Sequence, residues 1–169
     1  MAILTVHSVE TAASVCDLLA VTDSDITQTF VIMMDFFMDI IAHGIDLVDC
    51  PRIEEMIERH GSHFLDRVFT QAEQNYATTA KNRIEKLAGR FAAKEAVLKM
   101  LGTGWRGKIS WTDIEVLGNS LGRPIVTLSG EVERIAGELG IGEVSLSISH
   151  TANFVMASAV AIAKTNGNE

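Results

Sequence analysis

Cysteine is scarce. Cys16 and Cys50 are the only two, and their separation fits neither a metal-ligand pair nor a disulfide framework. Both read as free thiols, which suits a reducing, cytoplasmic setting. Long apolar runs are missing too: none reaches the roughly 18 residues of a membrane span, so no membrane role is expected. Lys and Arg are absent from residues 1–40, which hold the acids Glu10, Asp17, Asp23, Asp25, Asp35 and Asp39. Without a basic n-region no secretory signal is read. Residues 41–169 carry all 14 Lys and Arg with the remaining acids, so most of the net charge of −8 comes from the leader and the body is nearly neutral. Neither part has the basic surface that nucleic acid requires. There is no Walker loop, GxGxxG, CxxC or Gly-x-Ser-x-Gly elbow, and no internal repeat.

What is present is enough apolar content, 47% of 169 residues, for the core of one domain. The informative stretch is Arg90-Phe91-Ala92-Ala93-Lys94-Glu95-Ala96-Val97-Leu98-Lys99. It lies in a run of good helix formers, residues 80–101. Ile84, Leu87, Ala88, Phe91 and Leu98 fall at helical spacing and form one apolar stripe. The stripe continues through position 95, where the sequence places Glu95, with Lys99 one turn later. A carboxylate on a buried stripe is costly unless a cation or hydrogen bonds satisfy it. A Glu95–Lys99 ion pair at the stripe's edge and a metal or phosphate site both answer that need, and the helix alone leaves both open.

In chain order, residues 10–20 suggest a short helix, 21–29 a loop, and 31–38 an apolar segment broken by Asp35. Residues 40–48 read as a strand interrupted by Gly44, a sign of close approach by another backbone or a ligand. Asp46 lies in the apolar Ile45-Asp46-Leu47-Val48 run and needs a partner, be it a metal or local backbone hydrogen bonds. Asp49 is the better cap for the next helix, since Pro51 then falls in its first turn. That helix is expected over 51–60, ended by Gly61. Arg52 and Arg59 share a face of it, and Glu54, Glu55 and Glu58 mark a solvated face. Thr70-Gln71-Ala72-Glu73 is a capping box that opens another helix. After a break near Thr78-Thr79 the long helix runs to Gly102-Thr103-Gly104, a C-cap whose backbone N–H groups can also meet an anion. Residues 111–117 and 125–128 read as paired strands, 132–139 as a short helix ended by Gly140, and 144–150 as an alternating strand. His150 stands where that strand meets a turn, followed by a strand over 154–163. His7, His60 and His63 show no ligand pattern. The order implies an α+β domain with a mostly antiparallel sheet packed with one long helix.

Three motifs occur in order: Gly44-Ile45-Asp46-Leu47-Val48, Arg90 to Ala96 with Leu101-Gly102-Thr103-Gly104, and Ser147-Ile148-Ser149-His150-Thr151. Trp111-Thr112-Asp113-Ile114-Glu115-Val116 and Gly122-Arg123-Pro124 fit between them. Over roughly residues 40–163 the chain resembles the holo-acyl-carrier-protein synthase family of 4′-phosphopantetheinyl transferases. The resemblance implies transfer of 4′-phosphopantetheine from coenzyme A to a serine of an apo acyl carrier protein, releasing adenosine 3′,5′-bisphosphate. It implies Asp46 and Glu95 as magnesium ligands, and Lys99 and His150 at the coenzyme A phosphates with Arg90 as a further contact. Arg52, joined by Arg59, would serve carrier docking, and a homotrimer would have its sites at subunit interfaces. Magnesium favours a sparse set of hard carboxylates, and attack on a phosphoanhydride needs charge neutralisation more than covalent help. Lys99 suits that neutralising role. For the serine proton, Glu95, a metal-bound water and His150 all qualify.

The chain departs from the family in having Ala42 at the first Gly position where Gly-x-Gly is common, with His43 between it and Gly44. It also has a leader: the family usually begins a few residues before its Asp, here near Met38. Residues 1–37 are therefore set apart from a transferase domain over 38–169. Two alternatives use the same residues. One is a magnesium-dependent hydrolase of coenzyme A or a nucleotide pyrophosphate, separated by the mass of a carrier incubated with coenzyme A. The other is a non-catalytic carrier- or coenzyme-binding module, against which the intact Asp46, Glu95, Lys99 and His150 set argues.

Overall fold

The computed structural model describes residues 40–79 and 81–164. The expectations for residues 1–39, including His7 and Cys16, lie outside the described residues. Strand β1 (Ile40–Asp49) is followed by helices α1 (Cys50–Val68), α2 (Gln71–Thr78) and α3 (Arg83–Met100). A 3₁₀ turn (Trp111–Asp113) leads into β2 (Ile114–Gly118) and β3 (Pro124–Leu128). Helix α4 (Gly130–Glu138) and strands β4 (Ile141–His150) and β5 (Phe154–Ala163) complete the order. The expected single sheet is two: β1-β5-β4 and β2-β3, with every pairing antiparallel. The fold is α+β, with α3 packed across β1 and β5.

Small residues make that packing close. The inward face of β5 presents Val155, Ala157, Ala159 and Ala161, and α3 meets it with Ala92, Ala93 and Ala96, all buried. Larger side chains close the rest of the core: Phe69, Leu87, Leu98, Ile114 and Val132 are essentially inaccessible, each contributing on the order of 1.5–3 kcal/mol by burial.

Three elements differ from the sequence reading. Helix α1 does not end at Gly61. It kinks there (φ 57°, ψ −136°) and resumes to Val68, because Phe64 and Val68 beyond the kink are buried in the core. Trp111 is not in a strand. Ser110 and Asp113 form a capping box around the 3₁₀ turn, which uses the local N–H groups and delays strand pairing until Ile114. Strand β4 begins at Ile141, ahead of the alternating residues, through a register irregularity against β5. The Thr70–Glu73 capping box is present as expected, and Asp49 is the N-cap of α1 with Pro51 in the first turn.

Candidate functional site

The site begins with the absence of a side chain at Gly44. A Cβ there would lie 2.1 Å from the Ala96 carbonyl oxygen and 2.4 Å from the Met100 nitrogen, both helix backbone. Glycine therefore lets α3 lie directly on β1. Two residues along the strand, on the same face, Asp46 meets the helix. Its Oδ1 accepts a 2.6 Å hydrogen bond from Lys99 Nζ; the Asp46 side chain is 14% exposed and that of Lys99 51%. The cation pairs across elements with Asp46, so the Glu95–Lys99 pair considered from the helix alone is not the contact formed.

Glu95 is half-buried beside this pair. Burial pushes its carboxyl above the usual glutamate range and the negative charge of Asp46 adds to the rise, with Lys99 and Arg52 opposing. Two carboxylates from a strand and a helix thus share one neighbourhood with Lys99, which pairs directly with Asp46. Among the described residues no three His, Cys, Asp or Glu side chains converge. Two hard oxygen ligands, with the remaining positions left to water and substrate phosphate, suit magnesium.

Arg90 and His150 sit elsewhere. They line a second cleft of about 210 Å³ together with Tyr76, Glu85, Lys86 and Gly122. Glu85 and Glu95 are ten residues apart on α3, roughly 15 Å along the axis. His150 Nδ1 lies 3.5 Å from Glu85 Oε2. Arg90 is only 6% exposed. Its guanidinium stacks 4.2 Å from the Tyr76 ring centroid, Nη1 donates to the Lys86 carbonyl at 3.1 Å, and Nε has no protein partner. Burial lowers its pKa, with Tyr76 opposing. Lys86 and Glu85 went unread in the sequence, although the i, i+4 spacing of Lys86 and Arg90 puts two cations on one helix face.

Arg52 is exposed in the first turn of α1, and its charge reaches Glu95. Arg59 is tied to its own helix by a 2.5 Å pair with Glu55, both exposed, and no contact joins it to the Asp46 cluster. On the same helix, Met56, His60, Phe64 and Arg67 border an aromatic groove of about 390 Å³ with Phe91, Trp105 and Trp111. The rings of Phe91 and Trp111 stack at 5.2 Å.

The fully buried charge on α3 is not Glu95 but its neighbour. Lys94 is fully buried and pairs with fully buried Glu73 at 2.7 Å. The core-facing stripe runs Leu87, Phe91, Lys94, Leu98; after Phe91 the sequence reading took the step of four, to Glu95, rather than the step of three. Burial lowers the Lys94 pKa and the charge of Glu73 resists it. Glu73 is visible in the sequence as a capping residue, but nothing in the capping box indicates a partner 21 residues away.

Against this geometry, comparison with known proteins is consistent. The model of the 4′-phosphopantetheinyl transferase superfamily matches residues 42–157. A holo-[acyl-carrier-protein] synthase of Caldanaerobacter subterraneus subsp. tengcongensis is 46% identical over 123 residues, 73% of this chain and 95% of that one. The structure of a holo-[acyl-carrier-protein] synthase from Neisseria meningitidis superposes with a TM-score of 0.68 at 36% identity, covering 73% of this chain and 98% of that one. The enzyme of the same name from Helicobacter pylori, solved in complex with coenzyme A, gives 0.62 at 34% identity over 70% and 98% of the two chains.

Proposed function

The chain belongs to the holo-acyl-carrier-protein synthase family of the 4′-phosphopantetheinyl transferase superfamily, and we propose that Asp46, Glu95 and Lys99 are the centre at which it transfers 4′-phosphopantetheine from coenzyme A to apo acyl carrier protein. The observation that carries this assignment is the meeting of two carboxylates and one lysine where Gly44 seats α3 on β1. In the transfer, a carrier serine oxygen attacks the phosphorus bearing pantetheine. The bond from that phosphorus to the bridging oxygen breaks, and adenosine 3′,5′-bisphosphate leaves with that oxygen. Asp46 and Glu95 would hold magnesium, which when bound supplies charge neutralisation to the pyrophosphate. Lys99, half-exposed and at the edge of the cluster, offers its ammonium to the charge that develops on the leaving phosphate. Of the residues qualified to take the serine proton, Glu95 stands inside the cluster and His150 does not.

Arg90 and Lys86 bring two cations to the second cleft, beside His150 and Glu85, and suit it to the other phosphates of coenzyme A. Their separation from Asp46 within one chain supports a homotrimer in which neighbouring subunits complete each other's sites. So does the outward face of the β1-β5-β4 sheet. Ile45, Leu47, Phe154 and Met156 are between 41% and 63% exposed on it, an apolar patch of the kind that marks association. Arg52 in the first turn of α1 is assigned to the acidic carrier, with Arg59 and the aromatic groove further along the same helix. The free thiol of Cys50 suits a reducing, cytoplasmic setting, and fatty acid biosynthesis is the pathway proposed for the carrier; among the described residues no helix is long and apolar enough to cross a membrane.

The test is the mass of an apo-carrier incubated with coenzyme A and magnesium. It should rise by one phosphopantetheine group with the native chain and stay unchanged with Asp46→Ala or Glu95→Ala, both folded. Magnesium-dependent turnover by either variant at the native rate would reject the assignment.

A further inference from the structure

Among the described residues, the Glu73–Lys94 pair joins more elements than any other polar contact. Lys94 Nζ donates to Glu73 Oε2 at 2.7 Å, to the Val68 carbonyl at 2.9 Å and to the Trp111 carbonyl at 3.0 Å. Its three donors are thereby used. Glu73 Oε1 accepts from the Val116 backbone N–H at 2.9 Å, and Oε2 also accepts from the Thr70 N–H at 2.8 Å. The node thus ties the end of α1, the N-cap of α2, the 3₁₀ turn and β2 to a single residue of α3. Its charge is fully buried, where an ion pair is a weak source of stability compared with apolar packing. What such a pair supplies is geometric definition, since each partner is satisfied in one arrangement only.

The residue it grips is adjacent to Glu95. One side of α3 is pressed on β1 at Gly44, which sets the distance between helix and strand. That contact does not by itself set the rotation of the helix about its own axis. The alanine packing on β5 limits it, and the node on the other side fixes it further: turning α3 would pull Lys94 out of reach of three acceptors on three different elements. We infer that Glu73 and Lys94 are positioning residues for the transfer, holding the rotation of α3 so that Glu95 faces Asp46. Neither touches substrate. The inference rests on the assignment of Glu95 as a metal ligand.

The experiment measures Mn²⁺ binding in the presence of coenzyme A, by the loss of the free-ion electron paramagnetic resonance signal, alongside steady-state kinetics. The variant is Glu73→Gln/Lys94→Met, which removes both charges and leaves an amide oxygen for the Val116 N–H. The expected result is weaker Mn²⁺ binding by about 10–100-fold, the range for loss of groups that orient metal ligands. A matching fall in kcat and an unchanged KM for the carrier should accompany it. Native Mn²⁺ affinity and kcat in a folded variant with a lowered melting temperature would overturn the inference, because the node would then serve stability alone. If that variant does not fold, Glu73→Asp keeps both charges and shortens the reach by one methylene. It should show the same weakened Mn²⁺ binding, and native binding would overturn the inference, as would failure of both variants to fold. Glu95→Gln separates this from the parent assignment. If it binds Mn²⁺ as the native chain does, the ligand assignment has failed; if it does not while the node variants do, only the positioning role has.

Discussion

Glu95 shows how one residue answers to opposite demands. Its raised carboxyl pKa means that the folded state holds a proton more tightly than the unfolded chain. Ionised Glu95 therefore costs stability above its raised pKa, and the cost disappears as pH falls through that pKa towards the ordinary glutamate value. Glu95→Gln should melt at a higher temperature than the native protein at neutral pH without metal. The difference should shrink across that window, checked by thermal unfolding at a series of pH values. At Arg52 the demand is for a partner outside the chain. It is exposed and close enough for its charge to reach Glu95, while the body's near neutrality offers little long-range steering of an acidic carrier. Arg52→Glu should raise the apparent KM for the carrier by roughly 5–30-fold, the equivalent of one or two kcal/mol, and leave that for coenzyme A nearly unchanged. Equal effects on both would show that Arg52 reaches the coenzyme.

The decisive contact between elements is β1 with α3. A methyl group at position 44 would enter the space of the Ala96 carbonyl and Met100 nitrogen, which are hydrogen-bond partners along the helix itself. No side-chain rotation relieves that overlap, so the helix must move off the strand. Gly44→Ala should destabilise the protein by about 1–3 kcal/mol, the range for overpacking. It should also weaken Mn²⁺ binding, because Asp46 separates from Glu95 and Lys99. Denaturant unfolding and metal titration measure the two effects. Ala42, the position that departs from Gly-x-Gly, meets no such demand: it packs at the edge of the core, and the next residue, His43, points outward to hydrogen-bond Ser158 at 3.0 Å.

At the scale of the molecule, the apolar outward face of the sheet is where assembly should occur. Leu47 is 63% exposed there, so in an isolated subunit Leu47→Asp should change stability by no more than about 0.5 kcal/mol. In the proposed trimer it places like charges together in an apolar interface. Light scattering should therefore report a fall to one-third of the native mass, with loss of transfer activity. A native mass would redirect assembly to another face. Residues 1–37 contain no motif residue and no Lys or Arg, so a chain beginning at Met38 should keep its turnover number and its assembly state. Loss of activity in a folded, assembled chain of that length would put the leader in the site.

Much was legible in the sequence because it rests on local chemistry. Helical spacing from Ile84 to Leu98, the Thr70–Glu73 capping box and the alternation before His150 each follow from a few neighbouring residues, and the structure has each element. The ordered motifs around Asp46, Glu95 and His150 were enough to identify the family. Other features required contacts that no local pattern encodes. Whether Phe91 is followed on the stripe by Lys94 or Glu95 depends on what stands opposite, and only Glu73 arriving from α2 makes a buried lysine tolerable. That Lys99 pairs with Asp46 rather than with the nearer-in-sequence Glu95 follows from the missing side chain at Gly44. The kink at Gly61 continues into more helix because the core has room for Phe64 and Val68. Sequence alone determined most of the elements and the family, since propensity, capping and charge act over a turn or two. The tertiary structure decided which charges meet, because that depends on how closely and at what rotation one helix lies on one strand.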